Sequence, residues 1–344
     1  MTDDEPTDEE PDDPRSKGAD GVTRRRLLLG GGGAIAAVGG GRAAYNTVLG
    51  YGHFGMGTNL REQELEPLVT DRLSMTYDER IEGTRVRFED SIVVDSEEET
   101  WFSLDADRSD VAASDGSIGA DGRLEALFAD LSAFDRDEYT FEFSQPEEFF
   151  ERVGKANARP EIVAAIRSAR DRTTDPDVVE RFAEADPTDV SELVDGLVEG
   201  FRRHTSYDVP RYLAGSIEDN VVFGAHDLRG YFEDDVGFES LIEADGTGIF
   251  CWELVFRSIE ALHAVSPSEQ TVPVAACYVS DRRHKHAYTG VISAIREDGE
   301  LRFPMTFLDY TYSTLYDDLR LTSIRGEGLA AYDTGHRADE IYYW

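Results

Sequence analysis

The sequence predicts an α+β fold for the C-terminal half of the chain, because the spacing of its apolar residues changes along three consecutive segments. Apolar residues recur at helical spacing after Cys251, whereas Val272–Val279 and the segment that starts at His286 follow the period of two typical of strands. A third strand-like run, Leu301–Tyr312, comes next. This order predicts a helix packed on an antiparallel sheet.

The predicted helix begins at or near Cys251. Gly246 and Gly248 interrupt any preceding element, and His263 is predicted to cap the end of the helix, interacting with its dipole when protonated. The N–H groups of a first helical turn lack partners, so with the helix dipole they favour a thiolate and can stabilise an oxyanion. Cys251 is therefore a candidate nucleophile.

The predicted strands carry a candidate base and a candidate acid. His286 begins one strand, and Asp309 lies near the end of the next run, in which Pro304 predicts a bulge or a sheet edge. Antiparallel pairing would bring both residues to the start of the helix. A nucleophile, a base and a group that orients the base are the set that acyl transfer through a thioester requires.

These residues resemble the motifs of the transglutaminase-like superfamily, whose fold is papain-like. In that family the nucleophile lies in a Gly-x-Cys segment, the base in a His-Ala-Trp strand and the acid at an Asp-Pro-Thr strand end. The matching stretches here are Gly248–Trp252, His286–Tyr288 and Leu308–Thr311. The resemblance implies that Cys251 is the nucleophile, His286 the base and Asp309 the acid that orients the base.

The sequence departs from the family motifs at three places. One extra residue separates the glycine from the cysteine, Tyr288 replaces tryptophan and Tyr310 replaces proline. The resemblance extends upstream to a predicted helix that starts at Val190, with Thr188 and Asp189 as its caps, and it covers well under half of the chain. These departures bear on activity more than on the fold.

Other interpretations of the same residues remain open at this level. A disulfide between Cys251 and Cys277 would leave no free nucleophile. His286 is also compatible with a hydrogen-bonded sheet histidine, and Asp309 with a turn former at a strand end. Phe250 and Trp252 flank the candidate nucleophile, where they would either line a substrate groove or pack in the core.

The combined observations predict an exported thiol-dependent amide-bond hydrolase that acts on a peptide or protein substrate. Transfer of the thioester to an amine would instead cross-link proteins, but no feature marks an amine-binding pocket. The alternative from another class is a non-catalytic binding module of the cell envelope that retains the fold. No cofactor or metal is predicted, because the sequence has no phosphate-binding glycine loop and no paired cysteine motif.

The charge composition is strongly acidic. The chain has 71 acidic and 34 basic residues, a formal net charge of −37, and only Lys17, Lys155 and Lys285 as lysines. This balance resembles that of halophilic proteins, which stay soluble in multimolar salt. It does not support a basic surface for nucleic acid, so we expect no nucleic-acid partner.

The N-terminal segments predict export. Residues 1–22 form an acidic segment predicted to be disordered. Residues 23–45, with Arg24, Arg25 and a glycine-rich apolar run, resemble a twin-arginine signal that is either cleaved or retained as a membrane anchor. We therefore expect an extracellular or envelope-associated protein.

Residues 46–186 are predicted to be a mixed α and β region with no motif that assigns a function. Three strands are predicted within Thr84–Leu104, and Asp105–Gly122 is predicted to be a polar, solvated loop. Helices and one further strand are predicted at Leu124–Phe134, Tyr139–Phe143, Pro146–Val153 and Pro160–Arg170. A boundary near Asp186 then separates this region from the transglutaminase-like domain, 187–344.

Overall fold

The computed structural model describes residues 77–88, 91–97, 99–144, 146–156, 160–167, 174–220, 226–228, 230–232, 236–244, 246–281, 286–310, 338 and 340–343. The predicted disordered segment 1–22 and the predicted export signal 23–45 lie outside these residues. No helix in the described part of the chain is both long and apolar enough to cross a membrane.

The elements confirm the α+β class. The strands are β1 (Tyr77–Ile81), β2 (Thr84–Phe88), β3 (Ile92–Asp95), β4 (Thr100–Phe102), β5 (Tyr139–Phe143), β6 (Thr205–Tyr207), β7 (Thr247–Ile249), β8 (Ala275–Asp281), β9 (His286–Ile292), β10 (Ile295–Glu297), β11 (Glu300–Leu308) and β12 (Glu340–Tyr343). The helices are α1 (Arg108–Ile118), α2 (Arg123–Asp135), α3 (Pro146–Lys155), α4 (Pro160–Arg167), α5 (Pro176–Ala183), α6 (Val190–His204), α7 (Val209–Asn220), α8 (Phe238–Glu243) and α9 (Cys251–Leu262).

The segment Asp105–Gly122, predicted to be a solvated loop, is largely the helix α1. Asp107 caps its start by accepting the N–H of Ser109, and Gly119 ends it with a φ of 68°. The buried carboxylate of Asp115 accepts backbone N–H groups at the start of α2. The loop prediction was wrong because these aspartates satisfy helix termini instead of being solvated.

A central sheet of six strands carries the C-terminal part of the fold. Its strands lie in the order β5, β11, β9, β8 and β12, with β10 also paired to β11. β5 is parallel to β11, whereas the other neighbours are antiparallel. β5 precedes the boundary predicted near Asp186, so the division into 46–186 and 187–344 does not coincide with a division of the core.

Pro304 lies in the interior of this sheet, because β11 has partners on both sides. The prediction of a sheet edge was therefore wrong. The carbonyl of Pro304 accepts the N–H of Ser293. Ser293 lies in the short break between β9 and β10. Proline cannot return the second hydrogen bond, so the ladder is interrupted there without moving β11 to an edge.

Both faces of the central sheet are buried. One face shares a hydrophobic cluster with α1, α2, α4 and the antiparallel sheet β1–β4, and it includes Cys277, Tyr288 and Ile292. The other face, with Ala276, Ala287 and Val291, packs under helices that include α6 and α9. The sheet is thus a middle layer, and α9 lies on one side of it.

The stretch 210–232 belongs to a separate compact unit. Its described residues include most of α7 and a short 3₁₀ turn, Gly230–Phe232. Within it, the N–H of Leu228 donates to the carboxylate of Glu218.

Candidate active site

A short parallel strand pair leads into the candidate nucleophile. β7 pairs with β6, and the N–H of Asp208 donates to the carbonyl of Ile249 at 3.1 Å. A Cβ on Gly248 would lie 2.7 Å from Cγ of the buried Asp208. A glycine is therefore required at position 248, because only its backbone can approach Asp208 this closely.

Cys251 is the first residue of α9, as the sequence predicts. The carboxylate of Glu253 accepts the N–H of Phe250 at 2.8 Å, and the first helical hydrogen bond runs from Leu254 to the carbonyl of Phe250. The Cys251 N–H thus belongs to the first turn, whose donors have no acceptor within the helix. Cys251 is partly exposed to solvent.

His286 and Asp309 form a buried hydrogen-bonded pair. Nε2 of His286 lies 2.5 Å from Oδ2 of Asp309, and each side chain is 1% exposed. In the antiparallel pairing of β9 with β11, Leu308 lies opposite Thr289. Asp309 then lies diagonally across from His286, a distance that side chains on neighbouring strands can bridge.

A second buried contact sets the position of α9 along β9. The hydroxyls of Ser258 and Thr289 are hydrogen-bonded to each other, and both residues are fully buried. From Cys251 to Ser258 the helix rises about 10 Å, and from His286 to Thr289 the strand extends about 10 Å. The end of α9 lies beside the end of β9, because Nε2 of His263 accepts the N–H of Ala276, which is paired with Val291. The helix and the strand thus run in the same direction, and the equal lengths place the start of α9 beside the start of β9.

The pKa of His286 depends on both Asp309 and Cys251. Burial alone lowers the pKa of the imidazole, but the charge and hydrogen bond of Asp309, together with the hydrogen bond and charge of Cys251, raise it to about 10. The ring is therefore an imidazolium at neutral pH. Because Nε2 binds Asp309, any proton exchange with a further group would use Nδ1.

The two cysteines are both free thiols, so the disulfide interpretation is wrong. Cys277 is fully buried in β8, and its S–H donates to the carbonyl of Gly290 at 3.5 Å. Burial raises the pKa of this thiol well above its ordinary value. Cys277 thus remains protonated, as expected for a small buried apolar residue.

The two tyrosines that depart from the family motifs have packing roles. Tyr288 is buried, with its ring centroid 5.0 Å from that of Phe307. Tyr310 is also buried, and its ring meets Phe201 edge-on at 5.1 Å. Tyr310 thereby anchors the backbone that follows Asp309 against α6.

The prediction for His263 was half correct. His263 is the C-cap residue of α9, but its Nε2 accepts the N–H of Ala276 at 2.8 Å. A nitrogen that accepts a hydrogen bond carries no proton, so this ring is neutral and does not act as a charged cap.

Tyr278 lies close to the candidate nucleophile, and Tyr342 packs beside Tyr278; sequence analysis missed both. Burial and the charge of Cys251 raise the pKa of Tyr278 to about 12, with a further contribution from Tyr342. Tyr278 was assigned only to a strand, and its place near Cys251 depends on how α9 packs across β8. No local pattern indicates the pairing of β12 with β8, on which the position of Tyr342 depends.

Comparisons with known proteins return no match. No family model matches the chain, and no curated protein or solved structure is similar to it. Within the described residues, no group of three or more His, Cys, Asp or Glu side chains is arranged to hold a metal ion.

Proposed function

We propose that this protein is a thiol-dependent amide-bond hydrolase with a transglutaminase-like, papain-type core. One observation carries the proposal: the buried His286–Asp309 pair lies close enough to Cys251, at the start of a helix, for the charge of the sulfur to raise the pKa of the imidazole. Buried ionisable groups are costly unless they are paired, and such pairs with strongly shifted pKa values cluster at functional sites.

The arrangement supports a two-step reaction. The Cys251 thiolate attacks the carbonyl carbon, and N–H groups at the start of α9 stabilise the oxyanion. The imidazolium of His286 gives its proton to the leaving amine as the C–N bond breaks, which leaves a thioester. Water then attacks the thioester while Nδ1 of His286 accepts its proton, and the carboxylic acid leaves as the C–S bond breaks.

Asp309 is a positioning residue in this proposal. Its carboxylate holds the ring through Nε2, which directs Nδ1 toward the reaction, and its charge stabilises the imidazolium. The free thiol of Cys251 also removes one argument for a non-catalytic module, since no disulfide blocks the sulfur.

Proteolysis in heavy-oxygen water tests the proposal. A denatured protein substrate should gain heavy oxygen in each new carboxyl terminus, and Cys251→Ala should abolish this incorporation. Cys277→Ala is the matched control and should retain it. Incorporation that is independent of Cys251, or none with any of a panel of denatured proteins, would contradict the proposal.

The same experiment separates hydrolysis from transfer. With a primary-amine probe present, hydrolysis predicts mainly carboxyl products, because water needs no dedicated binding site. Predominant attachment of the probe to substrate glutamines would instead identify a cross-linking acyl transferase.

We also propose that the protein is exported in folded form and is extracellular or envelope-associated, as Arg24 and Arg25 before a weakly apolar run suggest. Replacing both arginines with lysine should retain the protein inside the cell. Cell fractionation would measure this, and unchanged export of the variant would exclude a twin-arginine signal.

A further inference from the structure

A row of four aromatic side chains extends from the candidate nucleophile. The ring of Trp252 meets Phe256 edge-on at 5.9 Å, and Phe256 lies 5.8 Å from Tyr278. Tyr278 in turn lies 6.0 Å from Tyr342 on β12. These spacings are those of interacting aromatic pairs, so the four residues, called here the aromatic row, form one continuous surface.

The aromatic row is contiguous with Cys251. Trp252 follows Cys251 in the chain, and Phe256 lies one turn further along the same helix. Cys251 and Tyr278 pack against the same hydrophobic cluster. The charge of Cys251 also acts on the phenol of Tyr278, which agrees with this proximity.

The aromatic row is open to solvent. Trp252 is 41% exposed, and the other three rings are partly exposed. Among the described residues, the other large apolar side chains with comparable exposure are Trp101 and Tyr231. Trp252 is thus an exposed aromatic side chain placed directly beside a partly exposed thiol, where a substrate must bind.

Among the described residues, two carboxylates near the aromatic row already have partners. Arg257 forms an ion pair with Glu260 at 2.8 Å and lies over the ring of Phe238. At the other end of the row, the hydroxyl of Tyr342 donates to Glu340. The surface therefore offers π-faces and apolar area in place of an ionic contact, which suits an uncharged aromatic group.

We propose that the aromatic row is a substrate-binding surface that receives an aromatic or large apolar group next to the scissile amide. This inference rests on the proposed function, since it assigns the substrate preference of the same site. Trp252 is its outer, specificity-determining residue. A ring bound there would continue the row at the same spacing and hold the carbonyl near the sulfur.

Two alkylating probes that differ only in an aromatic ring test the proposal. Iodoacetamide and N-benzyliodoacetamide carry the same reactive carbon, so the ratio of their rates at Cys251 measures recognition of the ring. Relative to the ratio for free cysteine, we expect native protein to favour the benzyl probe about tenfold. Mass mapping confirms the labelled residue.

Variants of two exposed tryptophans show which residue causes the preference for the benzyl probe. Trp252→Ala should reduce the ratio to that of free cysteine, whereas Trp252→Phe should keep most of it. Trp101→Ala, which removes an exposed tryptophan from β4, is the matched control and should leave the ratio unchanged. Phe256→Ala should lower the ratio as well, which separates loss of the surface from a local disturbance at Trp252.

The ratio also distinguishes failure of this inference from failure of the proposed function. His286→Ala should slow both probes equally and leave the ratio intact. If native protein gives the free-cysteine ratio, or if the ratio is the same in Trp252→Ala, the aromatic row is covered or serves another purpose and the inference is overturned. If the ratio depends on Trp252 but neither rate depends on His286, the binding surface stands and the proposed hydrolase does not.

Discussion

The two cysteines lie on opposite sides of the β8–β9 hairpin. Their environments differ in burial and in the groups that surround the sulfur. Cys277 faces the cluster shared with the N-terminal elements, fully buried and with a backbone carbonyl as its partner. Cys251 packs on the other side, partly exposed at the start of α9, where its charge helps to raise the pKa of His286. A single hairpin thus holds the buried thiol and supplies the histidine that we propose as the base for the other thiol. The difference predicts that position decides the reactivity of each cysteine.

Removal of His286 should have the largest effect on the expected difference in reactivity between Cys251 and Cys277. We expect His286→Ala to lower amide hydrolysis by about 10²- to 10⁴-fold, because the proton donor and acceptor is lost. Substrate cleavage followed by mass spectrometry measures the change. His204→Ala, at the end of α6, is the control and should cleave at the native rate. If His286→Ala and His204→Ala hydrolyse the substrate at the same rate, His286 does not make Cys251 more reactive than Cys277.

The charge of Asp309 should set the pH range over which His286 stays protonated. Asp309→Asn keeps the shape of the side chain but loses the charge that raises the pKa of His286, so we expect that pKa to fall by about 1–3 units. The pH profile of the His286 ring, followed by NMR, should shift downward accordingly, and hydrolysis should fall less than in His286→Ala. A reduced rate with an unshifted profile would indicate only a packing role.

The raised pKa of His286 also predicts how stability depends on pH. Its pKa is about 10 in the folded protein and about 6.5 when unfolded, so the folded state binds the proton more tightly. The contribution of His286 should be complete below pH 6.5 and decline as the pH rises toward 10. Urea midpoints of native protein and His286→Gln should therefore converge over this window. Parallel curves would show that the imidazolium does not stabilise the fold.

The contact between Ser258 and Thr289 should have a smaller, positional effect. Thr289→Val removes the hydroxyl that aligns α9 with β9, while Ser258 keeps its bond to the carbonyl of Val255. We expect a loss of about 1 kcal/mol in the free energy of unfolding and slower hydrolysis as Cys251 moves relative to His286. Urea denaturation and cleavage assays measure the two effects. Native hydrolysis in this variant would mean that the contact does not align the site.

Cys277→Ala should have the smallest effect on chemistry. Loss of the buried sulfur leaves a small void and should cost about 1 kcal/mol of unfolding free energy. Hydrolysis and labelling at Cys251 should be unchanged. Any loss of activity beyond that explained by stability would show that the two sides of the hairpin are coupled.

Local patterns in the sequence were sufficient for the elements that carry the candidate site. Glycines followed by a helical period predicted that α9 begins at Cys251, and a period of two predicted that β9 begins at His286. Asp189 was correctly predicted as a helix cap. Such features depend on neighbouring residues, so a linear sequence contains them. The strongly acidic composition is likewise a property of the sequence alone.

Only the tertiary structure decided which elements meet. The parallel insertion of β5 beside β11, the capping of α2 by Asp115 and the pairing of β12 with β8 each join segments that no local period relates. The same holds for the Ser258–Thr289 contact, which places Cys251 beside His286. Strand neighbours and helix positions are chosen by burial of area between distant segments, which depends on the whole core. For that reason the candidate site residues could be named from the sequence, whereas their alignment and the aromatic row beside them followed from the fold.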